Sequence, residues 1–340
     1  MRAILRPILT MAFATIGAVA FSLLGLPLPL LLGPMFACLL AALLKAPLKG
    51  VPVVSEAMRT VLGVAVGASI TPELIDRVDT MAMSVAFIPL FVLAIGAIGY
   101  PYFRRLCGFD APTAYYCAMP GGLQDMLVFG IEAGGNARAL SLVHATRVLV
   151  IVSIMPMLLT WGWGLTLDHA PGSPARDIPL VELAVMLACA ILGWRVGKRI
   201  GLFGAAILGP LVLSAAASLT GFIHHRPPAE AILVAQFFIG LGVGVKYTGV
   251  TIGELQRIVA AALGYCIILA ILSVAFAELV HFYAGAPQVE ALLAFAPGGQ
   301  GEMVVLAFVS GADLAFVVTH HLVRLIVVIL GAPIAARWLR

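Results

Sequence analysis

Two short stretches of this chain set Pro-Gly-Gly inside runs that are otherwise apolar: MPGGLQDM at 119–126 and APGGQGEM at 296–303. Proline removes a backbone donor and clashes with the preceding helical turn. The glycines after it admit positive φ or close approach of another group. A helix that enters either stretch must therefore break there. In hydrocarbon each unpaired N–H or C=O costs several kcal/mol, so a break survives only inside protein or beside a water-filled cavity. A chain with two such breaks needs a scaffold of other helices to bury them.

The rest of the sequence supplies that scaffold. Hydrophobic residues make up 62% of it and charged residues 11%, with a mean hydropathy of +1.10, against ~45–50% and ~25% in soluble domains. Segments near 7–22, 28–44, 51–72, 80–103 and 138–163 approach or exceed the ~18–20 apolar residues that cross a bilayer. The fold class is therefore an all-α polytopic membrane protein, with the lipid bilayer as its main partner. The net charge of +4 is small and the basic residues lie at the ends of apolar segments, which argues against nucleic acid as a partner. Cys38, Cys107, Cys117, Cys189 and Cys266 show no metal-ligand spacing and read as reduced packing residues. The start, MRAILRPILTMAFATIGAVA, imitates a signal peptide, but the same element recurs internally, so it reads as a retained first helix.

The recurrence is general. A shift of 177 positions sets Gly63 on Gly240, Gly67 on Gly244, Pro120-Gly121-Gly122 on Pro297-Gly298-Gly299, Gly134 on Gly311, His144 on His321 and Arg147 on Arg324. Asp125 meets Glu302 and Asn136 meets Asp313, with chemistry kept. Near the start the shift is 176, so LLGP at 31–34 meets ILGP at 207–210. Two repeats are expected, 1–166 and 178–340, joined by a Pro/Gly/charge-rich linker at 167–177. Six crossings per repeat would leave the Arg195/Lys198/Arg199 cluster outside. Five crossings with a cytoplasmic N-terminus put 14 of the 20 Lys and Arg residues inside and the acidic TPELIDRVD turn (71–79) outside. The expectation is about ten transmembrane helices in two inverted repeats, each with one broken or re-entrant segment, in a bacterial inner membrane with both termini cytoplasmic.

Paired interruptions in inverted halves point to a transporter's midplane site. The half-helix after each break has a partly positive N-terminus that attracts an anion. Asp125 and Glu302 are candidate groups for H⁺ or Na⁺ coupling, with Gln124 and Gln300 as polar ligands. Their structural alternative is complementing the half-helix dipole. His144/Arg147 and His321/Arg324 each share a helix face and could hold a carboxylate in a bidentate way. Their alternative is neutralisation, Arg147 with Asp125 and Arg324 with Glu302. His320 has no partner in the first repeat. Gly63/Gly67 and Gly240/Gly244 read as close helix packing, Glu56–Arg59 as an intrahelical pair, and His224-His225 as an isolated loop pair.

The duplicated unit, LGP near its start, GVAVGASIT in its middle and MPGG followed by an H-x-x-R helix resemble the AbrB duplication family of bacterial inner-membrane proteins. Members carry the labels "ammonia monooxygenase" or "regulator"; nothing here looks like the DNA-binding hairpins of soluble AbrB regulators. The resemblance implies a transporter with a repeat plan similar to that of cation/anion antiporters. The leading expectation is an ion-coupled secondary transporter of a small anion, not an enzyme, without cofactor or metal, with a homodimer as its candidate assembly. The alternatives are a membrane sensor or regulatory protein without flux, and a membrane monooxygenase.

Overall fold

The computed structural model describes residues 2–71, 78–167, 172–202 and 204–336. Most of the acidic turn, much of the expected linker and the last four residues lie outside these. The described residues form helices and connecting loops. In order the helices are α1 (Arg2–Leu23), α2 (Pro29–Leu43), α3 (Pro52–Gly67), α4 (Val78–Pro101), α5 (Ala111–Ala118), α6 (Leu123–Glu132), α7 (Ala137–Trp163), α8 (Leu180–Arg199), α9 (Ala205–Leu219), α10 (Ala229–Gly244), α11 (Ile252–Ala284), α12 (Gln288–Phe295), α13 (Gln300–Ser310) and α14 (Leu314–Ala336). Among the described residues, α1, α4, α7, α8, α10, α11 and α14 are long and apolar enough to cross a membrane. The expected ten needs α2, α3 and α9 as well. Fifteen residues of α2 or α9 cover only ~22 Å at ~1.5 Å per residue, short of a ~30 Å hydrocarbon core.

The chain divides into two compact units that do not follow chain order. The first comprises Met1–Val78, Leu159–Thr248 and Val304–Ala315; the second comprises Asp79–Leu158, Gly249–Met303 and Phe316–Arg340.

The first unit is assembled on glycine. Gly17 of α1 meets the backbone of Gly33 in α2, and Gly193 of α8 meets that of Gly209 in α9. Gly63 of α3 rests on the Ile207 carbonyl of α9, while Gly240 of α10 rests on the Leu31 carbonyl of α2. One turn on, Gly67 meets Leu211 and Ser214, and Gly244 meets Met35 and Cys38. A Cβ at any of these positions would enter the space of a backbone atom. Close approach through small residues is how apolar helices gain packing where lipid is as apolar as leucine. The LGP motifs thus serve as the surfaces on which the glycine-spaced helices lie, and Pro34 and Pro210 sit inside unbroken helices.

Two expectations change here. Glu56 pairs with Lys198 at 2.9 Å and accepts from Trp194 Nε1 at 3.2 Å, rather than pairing with Arg59. His224 and His225 are not isolated: the Glu182 carboxylate accepts from both backbone amides and both Nδ1 atoms at 3.0–3.3 Å. Each pairing spans a separation in sequence (42 residues for Glu182–His224) that no local periodicity encodes.

Gly240→Val should destabilise the folded protein by about 1–3 kcal/mol, the usual range for overpacking. Gly242→Val is the control on the same helix, because its nearest neighbour across the gap is Ser55 Oγ at an ordinary 3.7 Å. Thermal unfolding in detergent should separate the two variants.

Candidate functional site

The second unit contains both breaks and the charged residues that follow them. Helix α5 ends at Ala118, Met119 is extended (φ −65°, ψ 132°), and α6 begins after an extended Gly122. Helix α12 ends at Phe295, Ala296 is extended (φ −64°, ψ 122°), and α13 begins at Gln300. The glycines are required for space. None of Gly121, Gly122, Gly298 and Gly299 has positive φ. A Cβ on Gly121 would lie 2.7 Å from Met126 Cε, and one on Gly298 would lie 2.8 Å from Met303 Cε. Each methionine folds back over the first glycine of its own break.

A helix leaves its last four carbonyls without an internal partner, and Pro120 or Pro297 supplies no amide to help. Side chains from other helices take their place. At the first break His144 Nε2 bonds to Tyr116 O (3.0 Å), Tyr265 Oη donates to Ala118 O (2.7 Å), and Arg147 donates to Met119 O (3.2 Å) and Gly121 O (2.8 Å). At the second, His321 Nε2 bonds to Leu293 O (2.9 Å), Ser273 Oγ shares its one hydrogen between Phe295 O (3.1 Å) and Leu269 O of its own helix (2.7 Å), and Arg324 bonds to Ala296 O (2.9 Å). The three classes of bond occur at the same offsets before each proline: imidazole, hydroxyl, guanidinium. A carbonyl only accepts, so each His carries its proton on Nε2.

The H-x-x-R spacing is thereby explained. Residues three apart lie on one helix face, so α7 and α14 each present a donor pair to the end of the adjoining half-helix. The hydroxyls of Tyr265 and Ser273 on α11 escaped sequence reasoning. A lone polar atom in a long apolar helix was their only signal. The N-termini of α7 and α14 are fixed by Asn136 Oδ1 on the Ala139 amide (2.9 Å) and Asp313 Oδ1 on the Ala315 amide (3.0 Å). Gly134 and Gly311, at positive φ, turn the chain just before them.

His144, Arg147, His321 and Arg324 are each at most 2% exposed. Arg147 Nε, Arg324 Nε and His144 Nδ1 are buried without a hydrogen-bond partner. Arg147 and Arg324 give their hydrogen bonds to backbone carbonyls at the breaks. Glu302 is 6% exposed. It interacts through space with Arg147, and Arg147 with Arg324. Asp125 is half-buried in the first turn of α6. The side chains of Gln124 and Gln300 lie outside the described residues. His320, without a counterpart, bonds to Ser84 Oγ (2.9 Å) and stacks on Phe316. Among the described residues, no cluster of three His, Cys, Asp or Glu side chains could hold a metal ion.

The chain is similar to known proteins. The family model described as "Transition state regulatory protein AbrB" matches residues 30–340. The chain belongs to the AbrB family. Its similarity to the "Uncharacterized protein YhjN" of Bacillus subtilis (strain 168) is 24% identity over 358 residues, covering 97% of this chain and 92% of that protein. Similarity to the "Putative regulator AbrB" of Escherichia coli (strain K12) is 24% over 327 residues, covering 95% and 93%. In this AbrB-family chain the capping bonds predict a graded loss. Tyr265→Phe or Ser273→Ala should each leave a buried carbonyl unpaired and cost about 1–3 kcal/mol, read as a fall in the thermal unfolding midpoint of detergent-purified protein.

Proposed function

We propose that this AbrB-family protein is an ion-coupled secondary transporter of a small anionic solute. Its two repeats, 1–166 and 178–340, are read as inverted, and its setting as a bacterial inner membrane with cytoplasmic termini. The observation that carries the reading is the pair of buried arginines beside two helix breaks. Guanidinium groups stay protonated in proteins. A charge buried without an opposite charge costs several kcal/mol, and the carbonyl dipoles offset only part of that. An anion at the breaks would complete the balance, held by Arg147 and Arg324 and by the free amides that begin α6 and α13. The buried Glu302 carboxylate, within electrostatic reach of Arg147, suits the coupling of that anion to a cation, with Asp125 as its counterpart after the first break.

Flux into vesicles tests this. Reconstituted protein should take up a small carboxylate or inorganic anion from a panel, driven by a proton or sodium gradient. Asp125→Asn and Glu302→Gln should abolish gradient-driven uptake while the protein stays folded. Arg147→Lys should lower uptake at least about tenfold, since an ammonium does not reproduce the planar fork of guanidinium. Gradient-driven uptake unchanged in both carboxylate variants would sink the coupling role. Absence of flux for the whole panel, with a partner protein co-purifying, would favour a sensor or regulatory protein instead.

A further inference from the structure

The connection between α9 and α10, in the first unit, carries two adjacent histidines whose rings are oriented by one carboxylate. Glu182, in the first turn of α8, is 8% exposed. Its Oε2 accepts from the His224 amide (3.0 Å), the His225 amide (3.1 Å) and His225 Nδ1 (3.0 Å). Its Oε1 accepts from His224 Nδ1 at 3.3 Å. An ionised carboxylate only accepts, so both rings donate from Nδ1, and in the neutral imidazole the lone pair then lies on Nε2. The rings are open to solvent: the His224 side chain is 66% exposed and that of His225 39%. The chain is fixed on both sides of the pair. Before it, Ile223 is 1% exposed, in an apolar cluster with Met186 and Cys189 of α8 and Val64 of α3. After it, Arg226 donates from Nε to Ser69 Oγ (3.1 Å) and lies 4.8 Å over the Phe308 ring.

We propose that His224 and His225 bind a divalent metal ion of the zinc and copper class, ligated by both Nε2 atoms. Imidazole nitrogen is a ligand that suits this class. A ligating histidine ordinarily gives its other ring N–H to a carboxylate or carbonyl, which fixes the tautomer and raises the basicity of the ligating nitrogen. Glu182 does this for both rings at once. The carboxylate and Ile223 already hold the pair in place, so little ordering remains for an ion to impose. Two protein ligands leave the other coordination positions to water, whereas a closed structural site takes four protein ligands. An ion bound by two side chains agrees with the lack of a three-residue ligand cluster among the described residues. Once bound, it braces the α9–α10 connection against α8. The site lies in the first unit, apart from the breaks in the second, and stands independently of the transporter reading.

Titration with Zn²⁺ tests this on detergent-purified protein that carries no polyhistidine tag, at about pH 7.5, where an imidazole is ordinarily neutral. The wild type should bind a single Zn²⁺ per chain and unfold at a higher temperature in its presence. Mg²⁺, which takes oxygen ligands, should do neither. His224→Ala and His225→Ala should each weaken Zn²⁺ binding at least about tenfold, and so should Glu182→Gln, which removes no ligand but frees both rings. His281→Ala, elsewhere in the chain, should bind Zn²⁺ as the wild type does. Where Glu182→Gln fails to fold, the two histidine variants, whose rings are exposed, decide the matter. Cu²⁺ bound in place of Zn²⁺ should give an electron paramagnetic resonance spectrum split by two imidazole nitrogens. Zn²⁺ binding undiminished when His224 and His225 are both replaced by Ala would overturn the proposal, as would a wild type that binds no Zn²⁺ or a Cu²⁺ spectrum split by one nitrogen alone.

Discussion

The structure of the second unit depends on how carbonyls freed by Pro-Gly-Gly are paired. A helix end in apolar surroundings cannot turn to water, and each unpaired group there costs several kcal/mol. Tyr116, Ala118 and Met119 at one break, and Leu293, Phe295 and Ala296 at the other, receive donors from α7, α11 and α14. These bonds hold each half-helix to two long helices. They also fix where the buried arginines lie, because a guanidinium bonded to Met119 and Gly121 cannot leave without orphaning both. The charge at the centre of the unit is thus a consequence of repairing the backbone.

That dual duty sharpens the view of His144, Arg147, His321 and Arg324. As free side chains aimed into a cavity they would be ligand contacts alone. As caps they are structural, and the unpartnered Nε of each arginine is what remains for a ligand. Two arginines that interact with each other, and a buried carboxylate that interacts with one of them, bring charge together beside the breaks.

Much of this was legible in sequence. The helices that surround the breaks, the breaks themselves and the close packing at Gly63, Gly67, Gly240 and Gly244 follow from composition and spacing, because each rests on short-range chemistry: proline's missing donor, glycine's missing side chain, three- and four-residue periodicity. Asn136 and Asp313 matched in chemistry and both prove to be helix caps. The partners were not legible. Glu56 finds Lys198, and Glu182 gathers His224 and His225, through tertiary packing over separations that no motif encodes. The role of the PGG glycines was half legible: close approach was one of two options, and the methionine five residues after the first glycine of each break decides for it. Tyr265 and Ser273 gave no signal beyond a hydroxyl in an apolar helix.

The central claim is that the two buried arginines beside the breaks hold an anion. The most direct test is anomalous diffraction from crystals of the lipid- or detergent-solubilised protein soaked in bromide. The account predicts a bromide ion within hydrogen-bonding reach of Arg147 Nε or Arg324 Nε, lost in Arg147→Gln with Arg324→Gln. A structure in which carboxylates of the chain itself close on both Nε atoms, with no bromide at either, would contradict it.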